Sequence, residues 1–74
     1  MTNLPATTGD EIVKALVKAG FQKIHQKGSH VKLAHPDGRT TVIPVHKGES
    51  IGKGLMSKIL RDVDLSKEQF SSLL

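Results

Sequence analysis

The chain has 74 residues, no cysteine, tryptophan or tyrosine, and two phenylalanines. That excludes disulfide staples and thiol chemistry, and leaves one small domain held by aliphatic packing. Lys and Arg number 11 against 7 Asp and Glu, for a net charge of +4, a balance that favours a polyanionic partner, nucleic acid first.

No apolar run approaches the roughly 18 residues that a membrane span needs. The opening MTNLPATTGDE has neither the basic start nor the apolar stretch of a signal peptide, so a cytoplasmic protein is expected. Residues 1–7, with Pro5 and two adjacent threonines, read as a flexible leader before a single domain over residues 8–74. Thr8 can cap a helix, and Glu11 three residues on completes a capping box. Ile12, Val13, Leu16 and Val17 form a buried helical stripe. Gly20 stops the helix as a left-handed cap, with Phe21 folding back onto Leu16 or Val17. The first helix is thus expected from about Thr8 to Ala19.

Three antiparallel strands follow, expected over residues 22–27, 30–35 and 39–45. Gly28-Ser29 suits a two-residue type II′ hairpin turn. Pro36-Asp37-Gly38 forms the second turn, with Gly38 in the left-handed position before a bulge. Pro44 marks a strand end or an edge. The turns set the register: Leu33 opposite Thr41, Val31 opposite Ile43, His30 opposite Pro44, Lys27 opposite His30 and His25 opposite Lys32. Val31, Leu33 and Ile43 then face the helices, and Ile24 joins them opposite Leu33. The outward face carries Lys23, His25, Lys27, His30 and Lys32, with His46 able to join at the sheet edge.

After the sheet comes a glycine-rich loop, HKGESIGKG. A second helix is expected over residues 52–62, with Leu55, Met56, Ile59, Leu60 and Val63 as its buried stripe. A short third helix starts at Ser66, capped with Gln69, and buries Phe70, Leu73 and Leu74. The order α-β-β-β-α plus a C-terminal helix is an α+β domain with both long helices on one face of a three-stranded sheet.

Four histidines could carry chemistry: His25, His30, His35 and His46. No pair has the usual spacing of a zinc site, and no metal or other cofactor is expected. Ser29 adjoins His30, but neighbouring strand side chains point to opposite faces, which disfavours a nucleophilic pair. RNA carries its own nucleophile, the 2′-hydroxyl. Its cleavage needs a base, an acid and positive charge on the phosphate. Histidine suits the proton transfers, and lysine supplies the charge. His30 beside Lys27 or Lys32 meets that need, with His46 as a candidate second proton carrier. Gly48, Gly52, Gly54 and Lys53 can hold a phosphate at a helix N-terminus or merely shape the turn. GxxxxGK[ST] is absent, so no nucleotide-binding P-loop is present. Lys53, Ser57 and Arg61 line the exposed stripe of the second helix.

GDEIVKALVKAGF, KGSH, HPDGR with TVIPVH, GKGLMSKIL and DLSKEQFSSLL occur in that order. Together they resemble the HicA toxins of HicA–HicB toxin–antitoxin pairs over about Gly9 to Leu74. The resemblance implies a double-stranded-RNA-binding-domain-like fold and metal-independent, ribosome-independent mRNA cleavage with growth arrest. It also implies a HicB antitoxin that covers the site. The family's glycine–Ser/Thr–His motif falls on Gly28, Ser29 and His30, which makes His30 the catalytic residue. Lys23, Lys27, Gly28, Ser29, Lys32 and Lys53 are the expected RNA contacts. Many members carry a polar residue after the catalytic histidine, where Val31 stands here. The competing expectations are a non-catalytic RNA-binding module of the same fold and a protein whose basic face docks an acidic partner.

Overall fold

A computed structural model of the chain describes residues 4–74. The elements are α1 (Gly9–Lys18), β1 (Gln22–Lys27), β2 (His30–Ala34), β3 (Thr40–Pro44), α2 (Lys53–Val63) and α3 (Lys67–Ser71). The strands form one antiparallel sheet in the order β1-β2-β3, with the helices packed on it, as the double-stranded-RNA-binding-domain class requires. The core lies between them: Ile12 and Leu16 from α1, Val31, Leu33 and Ile43 from the sheet, Ile59 and Val63 from α2, and Phe70 from α3.

The local signals act as their chemistry predicts. The Thr8 hydroxyl accepts from the Glu11 N–H, and the Glu11 carboxylate takes the Thr8 N–H in return. Ser66 and Gln69 repeat this at α3. Gly20 has φ +101°, and the Phe21 N–H reaches back to the Leu16 carbonyl at 3.0 Å, closing α1 with a left-handed residue as expected. Gly28 takes φ +58° as the first position of a type II′ turn demands, and Gly38 takes +100°.

Four apolar placements differ from the expected stripes. Val17 is 48% exposed, and Ala15 is buried in its stead. The inward side of α1 is therefore Ile12, Val13, Ala15 and Leu16, the spacing of an α-helix seated on a sheet. Leu74 is 44% exposed at the end of the described chain, and Leu55 and Leu73 are only half-buried.

Residues 1–3 of the expected leader lie outside the described residues. Leu4 packs against the core. Thr7 is buried, and its carbonyl accepts from the Ile51 N–H at 2.8 Å. Thr8 bridges Ser50, so the entry to α1 lies against the loop that precedes α2.

Polar braces tie the layers together. The buried Thr41 hydroxyl donates to Asp62 Oδ2 at 3.0 Å, and Lys58 Nζ meets the same oxygen at 2.8 Å. Arg39 pairs with Asp37 at 2.8 Å, donates to the Val63 carbonyl at the end of α2, and lies over the Phe21 ring. Three carboxyls are held below the ordinary range. For Asp62 the main cause is the Lys58 hydrogen bond; for Asp37 it is the Arg39 backbone N–H; for Glu11 it is the Thr8 backbone N–H. A lowered carboxyl stabilises the fold above its unfolded pKa, and this is lost as pH falls through the folded value. Urea midpoints should therefore fall as pH drops from about 5 to about 2.5, across the carboxylate range. Asp62→Asn should flatten part of that slope, and an unchanged slope would refute the brace.

Candidate nucleic-acid interface

The register of β2 with β3 is the expected one. His30 stands opposite Pro44, Val31 opposite Ile43 and Leu33 opposite Thr41. On the other side Lys27 stands opposite His30 and His25 opposite Lys32. Directly opposite residues share a face, with Cβ atoms about 4.5–5.5 Å apart. Val31, Leu33 and Ile43 are buried under the helices. His30, Lys32, His25 and Lys27 therefore stand together on the other face, all exposed. The exposed Val42 lies opposite Lys32 and adds an apolar element to this basic surface.

Lys23 and Ile24 are corrections. The ladder shifts between Lys23 and His25, so Ile24 is a bulge residue without a Cα partner and is 54% exposed. Lys23 stands opposite the buried Leu33, which gives it the parity of the helix-covered side. The cause is a conflict between two fixed points. Phe21 is buried in the core, while the Gly28-Ser29 turn holds His25 and Lys27 outward. Residues 21, 23, 25 and 27 share one parity in a regular strand, so an extra residue must intervene.

His30 is exposed at the first position of β2, and its side chain has no hydrogen-bond or ion-pair partner among the described residues. Its imidazole is thus not committed to the fold. The turn before it is clamped to the end of β3. The Val45 N–H donates to the Ser29 carbonyl at 2.6 Å. Ser29 Oγ and His46 Nε2 lie 3.5 Å apart, the outer limit of a hydrogen bond. His46 is thus brought to Ser29, next to His30 in the chain; no hydrogen bond joins the two histidines among the described residues. Gly28 leaves open space around its Cα and accepts from Gln26 Nε2 through its carbonyl.

His35 serves the fold. Its ring packs edge-on against Phe21 at 5.1 Å, and its Nε2 closes over Gly20. Its Nδ1 is 3.1 Å from both the Asp37 N–H and Asp37 Oδ1. The Asp37 N–H donates to that nitrogen, and Asp37 Oδ1 also accepts from the Arg39 N–H at 3.0 Å. Lys53 lies elsewhere, in a groove between residues 4–6 and α2.

Fold and surface thus define a small double-stranded-RNA-binding-domain-like protein with a basic, histidine-bearing open sheet face. The family model described as "HicA toxin of bacterial toxin-antitoxin" matches residues 9–65. The chain therefore belongs to the HicA toxin family, whose members act as toxins within toxin–antitoxin pairs. No curated protein matches the chain in sequence. Among the described residues, no helix is long and apolar enough to cross a membrane.

Proposed function

We propose that the chain is an mRNA endoribonuclease that arrests translation and growth in the cytoplasm and is neutralised by a HicB-like antitoxin. The observation that carries this reading is the exposed, uncommitted His30 between Lys27 and Lys32, in a chain of the HicA family. His30 acts as general base or acid on the RNA 2′-hydroxyl and the leaving 5′-oxygen. Lys27 and Lys32 hold the phosphate and offset the charge that builds on it. The 2′-oxygen is the nucleophile, so this reaction needs no metal. His46, held against Ser29, is the candidate second proton carrier. The test is cleavage of purified RNA by wild type and His30→Ala, with growth scored in parallel. RNA binding without cleavage at any pH would instead favour a non-catalytic module of the same fold.

The register also separates two lysines that composition cannot. Lys32→Ala should weaken RNA binding and lower the slope of log K against log salt by about one. Lys23→Ala, off that row, should change the slope less. Equal effects from the two would show that general charge, rather than the open face, binds RNA.

A further inference from the structure

We propose that the groove between residues 4–6 and α2 is a docking site for an acidic, apolar-faced segment of the antitoxin. This rests on the toxin–antitoxin reading above, and adds a second contact surface distinct from the His30 row. The groove has a volume of about 540 Å³, floored by Leu4, Ile51, Met56 and Leu60. Lys53 and Lys67 stand at its rim, and among the described residues no carboxylate lines it. α2 adds to the positive character of this end, because it begins at Gly52 without a side-chain cap and has no acidic residue in its first turn. An apolar trough with cationic edges fits a peptide segment that alternates apolar anchors with Asp or Glu.

Charge decides between occupants. A second copy of this chain carries net charge +4 and would set like charges against the two lysines. RNA satisfies the lysines but has no side chains for the Leu4–Leu60 floor. An acidic protein segment satisfies both.

The experiment uses the full chain and its purified HicB-type antitoxin. Ser57 and Lys67 line the groove and are exposed, and neither belongs to the proposed catalytic row. Both accept a glutamate without harm to their helices: Ser57→Glu gains Arg61 four residues on, and Lys67→Glu lies at a helix start. The double variant should bind the antitoxin at least about tenfold more weakly, with the loss reduced at high salt. Its RNA cleavage without antitoxin should match wild type. Met56 is one of two methionines, so its labelled methyl signal should shift when the antitoxin binds. Unchanged affinity, or a Met56 signal that stays put while the antitoxin binds, overturns the groove and leaves the RNase reading intact. Weakened RNA binding with unchanged antitoxin affinity assigns the groove to RNA and also overturns the proposal. Failure of the wild type to bind the antitoxin removes both the groove and the pairing, while RNA cleavage is read separately.

Discussion

His30→Ala should abolish growth arrest and cut RNA cleavage by about 10²–10⁴-fold, the contribution of one positioned acid or base. At about 1.4 kcal/mol per factor of ten, that is roughly 3–5 kcal/mol of lost transition-state stabilisation. Folding stability should stay within about 0.5 kcal/mol of wild type, as for a surface residue away from special features. The structure supports that separation of effects, since His30 is exposed and its imidazole makes no hydrogen bond or ion pair among the described residues. His25→Ala is the matched control. His25 lies in the same outward row opposite Lys32 but outside the Gly28-Ser29-His30 motif, and should retain most activity. A folded His30→Ala protein that cleaves RNA at the wild-type rate would sink the assignment.

Gly9→Ala should be the most damaging of the glycine substitutions. Gly9 is buried at the first position of α1. A Cβ there would run into the Pro44 carbonyl oxygen and crowd the Val45 Cα at 3.1 Å. Both are backbone atoms, so no side chain can swing aside. α1 must lift from the end of β3, loosening Ile12 and Leu16 over Ile43. Overpacking typically costs about 1–3 kcal/mol and more when backbone must move. A 74-residue domain has only about 4–11 kcal/mol in all, at 0.05–0.15 per residue. The same substitution at Gly54 should have the opposite sign. Gly54 lies within α2 with nothing near the added carbon, so alanine should stabilise by about 0.5–1 kcal/mol. Urea denaturation of the two variants reads both signs. A neutral Gly9→Ala would show that α1 and β3 do not approach this closely.

Much of the interface was legible because hairpin turns are local. Gly28-Ser29 and Pro36-Asp37-Gly38 each define a register within a few residues, and His30, Lys32, His25 and Lys27 took their places accordingly. Lys23 and Ile24 did not, although a signal existed. The capped end of α1 drives Phe21 inward, and the turn drives His25 outward, which parity alone cannot satisfy. Reading either anchor by itself hides the bulge. Val17 and Leu74 differ from the expected stripes for another reason. Apolar periodicity marks a stripe wide enough for either edge to be the wet one, and only the packed neighbours choose.

The sequence by itself determined the order of elements, both capping boxes, the two turns, the β2 register and the HicA family of the chain. These follow from backbone sterics and hydrogen bonding over spans of a few residues, and from motif order. Only the tertiary structure decided which side of the sheet Lys23 takes, that Ser29 and His46 meet, that Gly9 is needed for close approach, and that Leu4 and α2 enclose a groove between lysines. Each of these depends on residues far apart in the chain, whose contacts are set by packing rather than by local conformation.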